Sequence, residues 1–294
     1  MFEIYLPIAN MMVDSLEIII LGIFVGFLAG LFGIGGGFIM VPLLNIVLGI
    51  PMNIAIGSNL TQVAATSSSG AVAHKKMGNI DMKLASLILM GSIVGVSLGV
   101  ILLGSLKASP AFDLIIKGIY ILLLTVIGLL MLVESALSAK RTEQRQIIVD
   151  ISKKFQDIGF MSIELPKSGI RIPAFLPIMM GLGVGIIAGV TGIGGGFIMV
   201  PLLIYIVGVR TVIAIGTDIF QMIFLAAVGS IGHALNGNVD LYLAILMLIG
   251  SSIGAQFGAR TTRRVKAAKI RLLLAVIITM VVLHLIMDVI GWFK

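Results

Sequence analysis

The sequence predicts an all-α polytopic membrane protein, built from two copies of one helical unit that are inserted with opposite orientation. Hydrophobic residues make up 59% of the 294 residues and charged residues only 11%, and the mean hydropathy is +1.19. A soluble domain carries about 25% charged residues, so most of this surface must face something other than water. Apolar segments long enough to cross a hydrocarbon core of about 30 Å recur along the whole chain. The chain also repeats itself.

The repeat has a period of 159 residues. Residues 26–101 align without a gap on residues 185–260, with 34 identities in 76 positions. The segment GFLAGLFGIGGGFIMVPLL, starting at Gly26, lies over GIIAGVTGIGGGFIMVPLL, starting at Gly185. Self-similarity at this level indicates a duplicated structural unit.

Each unit divides into a glycine-interrupted segment followed by three spans. The glycine-interrupted segments cover 16–48 and 172–207. The predicted spans are, in chain order, 54–73, 84–106, 112–133, 212–232, 241–258 and 270–290. The predicted domains are a first membrane repeat over 1–137, a cytoplasmic linker over 138–171 and a second membrane repeat over 172–294. Within the linker, the alternating pattern of 146–160 is also compatible with an interfacial helix or a hairpin.

Loop charges predict the relative orientation of the two units. Loop 75–83 carries three Lys and its partner 234–242 none, whereas loop 106–113 has a single Lys and its partner has six basic residues between 260 and 271. Basic loops stay in the cytoplasm, so equivalent loops face opposite sides of the membrane. This inverted topology is common among secondary transporters. It requires an odd number of crossings per unit, so the glycine-interrupted segment must be a helical hairpin or a re-entrant pair.

The repeated GIGGG motif, 33–37 and 192–196, is the best candidate for a substrate site. Three glycines cost a helix about 1 kcal/mol each relative to Ala, and a break inside a membrane survives only where protein or a water-filled cavity surrounds it. A helix that restarts after the break points free N–H groups at an anion. The alternative is a tight turn whose glycines serve only close packing. No Lys-Ser/Thr pair follows the motif, so a nucleotide site is not predicted. The predicted anion-binding glycines are Gly35, Gly36, Gly37, Gly194, Gly195 and Gly196.

The span after each glycine motif carries matching polar residues. Positions three apart share a helix face, and neutral amides and hydroxyls there are candidate donors to an oxyanion. The alternative is that they join neighbouring helices by hydrogen bonds worth about 0.6 kcal/mol each. The candidates are Ser58, Asn59 and Gln62 in the first repeat, over Thr217, Asp218 and Gln221 in the second.

Three ionisable residues in these spans have separate predictions. Asp218 is the one acid expected deep inside a span, where a carboxyl is a candidate proton carrier, although the equivalent residue is Asn59. His74 and His233 close their spans, and we interpret both as interfacial hydrogen-bond anchors. With three His, no Cys and no clustered carboxylates, a metal site is not expected.

The doubled GxGGGFxxVP motif, followed by the polar span and the H…GN(I/V)D loop, resembles the TauE/SafE sulfite exporter family. The resemblance covers nearly the whole chain. It implies a multi-pass permease of the cell inner (plasma) membrane for sulfite, sulfoacetate or related organosulfur anions. The family's functional positions correspond here to the glycines and polar residues already named.

Together these observations predict a secondary transporter, acting as an exporter, that binds a small anion near the membrane midplane at the paired breaks. A passive anion channel and an importer of a related sulfur-containing anion are the alternatives. No nucleophile, metal cluster or acid–base pair stands out, so neither an enzyme nor a cofactor is predicted. The expected partners are the anionic substrate and the lipid bilayer, without nucleic acid; a homodimer is left open.

Overall fold

The computed structural model describes residues 2–32, 37–137, 162–165, 167–262 and 267–291. The first half contains strands β1 (Glu3–Leu6) and β2 (Met11–Asp14), then helices α1 (Ser15–Phe32), α2 (Gly37–Leu48), α3 (Met52–Lys76), α4 (Met82–Leu106) and α5 (Phe112–Leu137). The second half contains β3 (Ser162–Leu165), β4 (Ile170–Pro173), α6 (Phe175–Thr191), α7 (Gly196–Leu202), which continues as a π-helical turn Leu203–Val207, α8 (Thr211–Leu235), α9 (Leu241–Thr262) and α10 (Ala267–Ile290).

The two halves share the same order of elements, and the repeat is longer than the sequence alignment. Helix α8 begins and ends 159 residues after α3. Hairpin β1–β2, which pairs Glu3 with Asp14, has its counterpart in hairpin β3–β4, which pairs Ser162 with Pro173. Residues 162–165 and 167–171, which the sequence analysis assigned to the linker, therefore belong to a hairpin that precedes α6. The core of the predicted linker, 146–160, lies outside the described residues.

Four described helices are long and apolar enough to cross a membrane: Met82–Leu106, Phe112–Leu129, Thr211–Leu235 and Leu241–Gly258. Helix α3 has 25 residues, as many as α8, and would span about 37 Å at 1.5 Å per residue. The run of Thr and Ser residues in α3 lowers its mean hydropathy, and α3 is therefore not among the four helices apolar enough to cross a membrane. An apolar helix set of this kind is the fold of a polytopic membrane protein.

Glycine stripes join the first helix of each half to a helix of the other half. At Gly26 in α1, an added Cβ would lie 2.3 Å from the carbonyl oxygen of Ser251 in α9. At Gly91 in α4, it would lie 1.9 Å from the carbonyl oxygen of Ile178 in α6. Both pairs run parallel and touch backbone to backbone, which small residues permit between membrane helices.

Equivalent helices of the two halves pack on each other in antiparallel fashion. Early in α3, the Thr61 hydroxyl lies 2.6 Å from the Ser230 hydroxyl, late in α8. Early in α5, Lys117 Nζ lies 2.6 Å from Asp288 Oδ2, near the end of α10. A repeat whose equivalent helices are antiparallel is related by an axis perpendicular to the helices.

The two β-hairpins close opposite ends of the helix bundle. The backbone N–H of Ile8 donates to Asp240 Oδ2 at 3.0 Å, and the Ser168 hydroxyl donates to Asp81 Oδ2 at 2.8 Å. The start of α3 is held at the same end as the first hairpin, because Asn53 Nδ2 donates to Asn238 Oδ1 at 2.8 Å. The α1–α2 segment thus enters and leaves at one end of the bundle.

Candidate functional site

Left-handed glycines separate α6 from α7. The φ angles of Gly192, Gly194 and Gly195 are 71°, 80° and 83°, a conformation that side chains other than glycine rarely adopt. Space is also short, because a Cβ on Gly194 would lie 2.8 Å from Val63 Cγ1. Helix α7 then begins at Gly196.

In the first half, α1 ends at Phe32 and α2 begins at Gly37. Gly35 and Gly36, two of the predicted site residues, lie outside the described residues. Gly37 is buried, and a Cβ there would lie 2.9 Å from Asn59 Nδ2 and 3.0 Å from the carbonyl oxygen of Ile193.

The starts of the two half-helices meet at the centre of the molecule. The rings of Phe38 and Phe197, which occupy equivalent positions, stack with their centroids 4.5 Å apart and an interplanar angle of 28°. Asn59 Nδ2 donates to the carbonyl oxygens of Gly37 at 3.0 Å and Gly192 at 2.8 Å. One side chain of α3 therefore joins the backbone on either side of the pseudo-symmetry axis.

Asn59 uses both amide protons on these carbonyls, so in this structure it has no donor left for an oxyanion. Its Oδ1 is buried and has no hydrogen-bond partner among the residues that the structure describes. Leaving a buried acceptor unpaired costs about 1–3 kcal/mol. In this structure Asn59 thus joins neighbouring elements by hydrogen bonds, the alternative that the sequence analysis left open for these polar residues.

The two predicted glutamines make equivalent contacts with equivalent serines. Gln62 Nε2 donates to Ser251 Oγ at 2.7 Å, and Gln221 Oε1 accepts from Ser92 Oγ at 3.1 Å. The sequence analysis missed both serines. The repeat alignment carried the signal, because Ser92 lies over Ser251 next to equivalent glycines.

Asp218 is buried within α8, with 1% of its surface exposed. Its Oδ1 accepts from Gln221 Nε2 at 3.0 Å. The two predicted residues therefore form one network with Ser92. The equivalent Asn59 and Gln62 make no such contact with each other, and each binds a different element of the other half.

Ser58 and Thr217 lie away from the glycine breaks. The Ser58 hydroxyl accepts from the backbone N–H of Asp240 at 2.9 Å, and the Thr217 hydroxyl accepts from the backbone N–H of Asp81 at 3.0 Å. Each joins its span to the loop that precedes a helix of the other half. Tyr120, which the sequence analysis missed, is fully buried and donates its hydroxyl to the carbonyl oxygen of Thr191, the last residue of α6.

A cavity of about 280 Å³ lies between α1, α2, α3, α8 and α9. Its polar lining comes from Gln62, Thr66, Ser67 and His74 on α3 and from Ser251 on α9. Met40, three residues into α2, also lines the cavity. The cavity thus runs along α3 from the level of the glycine breaks towards the end of the helix.

The equivalent space in the other half is closed. Eight residues that line the cavity are partly exposed, and their equivalents in the other half are all buried. The partly exposed residues are Ala29, Gly30, Thr66, Gly70, His74, Ile215, Ile219 and Ala255. Their buried equivalents are, in the same order, Ala188, Gly189, Leu225, Gly229, His233, Ile56, Leu60 and Val96. At Gly229, an added Cβ would lie 2.9 Å from side-chain atoms of Leu60 and Val96, which fill the space. His233 Nε2 lies 2.9 Å from the carbonyl oxygen of Gly189. One half of the repeat is open and the other is packed.

Comparisons with known proteins agree on one family. The family model described as "Sulfite exporter TauE/SafE" matches residues 18–285. A probable membrane transporter protein of Bacillus subtilis, YjnA, is 32% identical over 92% of this chain and 100% of its own length. A second, YunE, is 25% identical over 92% and 97%, and MJ0441 of Methanocaldococcus jannaschii is 26% identical over 89% and 91%. No solved structure matches.

Proposed function

The chain belongs to the sulfite exporter TauE/SafE family and is a transmembrane transporter, and we propose that it is a secondary transporter that exports a small anion such as sulfite or an organosulfonate. The single observation that carries the proposal is the one-sided cavity. The two halves have the same elements, yet the cavity beside α3 is accessible while its equivalent beside α8 is packed shut. A carrier needs two such states and exchanges them; an open channel needs both sides accessible at once.

We propose that the two halves have inverted topology in the inner membrane, with the end that holds loop 75–83 in the cytoplasm. The antiparallel packing of α3 on α8 supports this arrangement. So does the docking of the two hairpins at opposite ends of the bundle. The cavity extends to His74, next to the basic loop, and would open to the cytoplasm.

Equivalent residues at the helix ends test this topology in a chain that has no cysteine. Lys76 and Leu235 are equivalent and both are exposed. We expect a membrane-impermeant thiol reagent to label Lys76→Cys only from the cytoplasmic side and Leu235→Cys only from the outside. Labelling of both from one side would refute the inverted arrangement.

The proposed substrate site lies where the two breaks meet. Gly37, Gly194, Gly195 and Gly196 would bring backbone N–H groups to an anion, as expected of restarted helices in transporters. The contact of Phe38 with Phe197 supports a single central site, because it brings the two half-helix starts within reach of one ligand. The predicted role of Asn59 as a donor would require it to release the two carbonyls that it binds here.

Binding and flux measurements test the site. Purified protein should bind sulfite or methanesulfonate, and proteoliposomes should show slow, saturable flux. Gly195→Val should lose binding, because the residue is left-handed and a Cβ would lie 2.7 Å from Val184 Cγ1. Gly183→Ala is the matched control, since no atom lies within 4 Å of that Cβ position. Flux that rises linearly with anion concentration would favour the channel alternative.

We further propose that Asp218 couples transport to protons. The carboxyl is buried inside α8 and its partner is a neutral amide, so no positive group in the described structure offsets a charge there. Asp218→Asn should keep anion binding and lose accumulation driven by a pH gradient, because an amide cannot carry a proton. Accumulation that responds equally to the gradient in the variant would leave Asp218 with a structural role.

A further inference from the structure

We propose that Ser67 and His74 form a second anion-binding subsite in the open cavity, where the anion is held before it reaches the glycine breaks. The inference rests on the proposed function of anion transport. It names residues that lie outside the central site, on the part of α3 that leads from Gln62 to the end of the helix.

Ser67 is the first component. Its hydroxyl lines the cavity although the side chain is only 7% exposed, and it has no hydrogen-bond partner among the residues that the structure describes. The neighbouring hydroxyls are used otherwise: Thr66 donates to carbonyl oxygens of its own helix at 3.1 Å, and Ser68 to that of Ala64 at 2.8 Å. Among the described residues of this run, Ser67 therefore combines a hydroxyl without a partner with a buried place in the cavity wall, whereas Ser69 makes no such hydrogen bond but is exposed and does not line the cavity.

His74 is the second component. It lies seven residues beyond Ser67, which is two helical turns and the same face of α3. The ring lines the cavity. Its Nδ1 is buried beside Gly216 without a hydrogen-bond partner among the described residues, so Nε2 is the nitrogen left to donate to an anion. Gly70 lies between the two residues on this face and adds no side chain to the cavity, where a Cβ would lie 3.2 Å from Ile219 Cγ2.

The same positions in the other half cannot form this subsite. Ala226 replaces Ser67 and has no hydroxyl, and His233 is buried with its Nε2 against the Gly189 carbonyl. The histidine itself is common to both halves, so the first half is distinguished by the serine two turns before it and by the open space beside the two residues. The polar pair therefore exists on one side of the molecule only, which fits a function limited to one access route.

The charge at this end of the cavity suits an anion. Lys75 and Lys76 follow His74 directly, and Lys83 stands at the beginning of α4. The acid in this loop, Asp81, is held by Ser168 and by the backbone N–H of Leu84, at 2.8 Å and 3.2 Å from its two oxygens. A small oxyanion can thus accept hydrogen bonds from a hydroxyl and an imidazole close to three ammonium groups.

Protection of an introduced cysteine tests the subsite directly. In the parent chain background, Ser67→Cys should react with a small thiol reagent, and methanesulfonate at about ten times its Kd should slow that reaction at least about threefold, since occupancy lowers the rate by 1 + [L]/Kd. Ser68→Cys is the matched control: it lies one residue away, is exposed and points out of the cavity. Its reaction rate should not change with the anion. Equal protection of both, or of neither, would overturn the subsite.

Equilibrium binding tests the imidazole. His74→Ala should weaken methanesulfonate binding about tenfold, the expected loss of one hydrogen bond to a charged ligand, whereas His74→Gln keeps a donor and should stay within about threefold of the parent protein. Parent protein that binds neither sulfite nor methanesulfonate would refute the proposed function. Parent protein that binds either anion while His74→Ala binds it equally well would refute the subsite alone.

Discussion

Helices α3 and α8 occupy equivalent places in the two repeats, have the same length and pack against each other, yet the second half of α3 lines a cavity with polar residues whereas the equivalent residues of α8 are packed. Thr66, Ser67 and His74 on α3 correspond to Leu225, Ala226 and His233 on α8. The difference shows that a duplicated backbone can hold one half open while the other is closed. The polar residues Thr66 and Ser67, which have apolar equivalents in α8, lie in the open half.

The helix contacts common to both halves should be the most sensitive to change. A Cβ at Gly91 would lie 1.9 Å from the Ile178 carbonyl oxygen, and at the equivalent Gly250 it would lie 2.4 Å from the Ile19 carbonyl oxygen. Because backbone atoms cannot move aside cheaply, Gly91→Val and Gly250→Val should each cost about 3 kcal/mol or more and prevent folding. Size-exclusion profiles in detergent measure this loss; a monodisperse Gly250→Val protein would break the equivalence of the two halves.

Exchanging the unlike pair at the centre should have unequal effects. In Asn59→Asp, the two carbonyl oxygens that the amide binds lose their donor, so we expect a loss of about 3 kcal/mol. Asp218→Asn retains an acceptor for Gln221, so its stability should change by less than about 1 kcal/mol. Thermal unfolding of both purified variants measures the contrast. Equal stability losses would contradict the positioning role of Asn59.

Converting the cavity face of α3 to the sequence of α8 should close it. We expect Thr66→Leu combined with Ser67→Ala to fold with unchanged or higher stability, since the cavity gains apolar contacts, and to lose flux about tenfold or more. Proteoliposome flux is the measurement. Ser68→Ala combined with Ser69→Val makes the same kind of exchange on exposed positions and should leave flux within about twofold. Equal losses in both double variants would contradict the cavity as the access route.

The smallest expected effect lies at the hydroxyls that hold the loops. Ser58→Ala and Thr217→Val each remove one acceptor for a buried backbone N–H, of Asp240 and of Asp81. Each should lower the free energy of unfolding by about 1 kcal/mol, and the two losses should agree within about 0.5 kcal/mol. Denaturant unfolding in detergent measures both. A much larger effect of one substitution than of the other would show that the two loops are not equivalent.

The sequence by itself determined the membrane class, the repeat and the positions of most helices. The membrane class could be predicted because the hydropathy of a chain matches the solvent that surrounds it. The repeat could be predicted because a duplicated segment aligns with its copy in the sequence itself. The sequence also singled out Gln62, Asp218 and Gln221 as polar residues inside spans, because polar residues occur at the equivalent positions of both copies. The second hairpin was missed because residues 3–14 and 162–173 share pairing register rather than sequence.

Only the tertiary structure decided which polar groups have partners and which half is open. Asn59 reads as a free donor in the sequence, but the folded chain brings the Gly37 and Gly192 carbonyls within 3.0 Å and 2.8 Å of its nitrogen. Ser92 and Ser251 became partners of the glutamines because glycines beside them let helices of different halves touch. The cavity beside α3 depends on how helices from both halves pack around it, and no local pattern of residues specifies that packing.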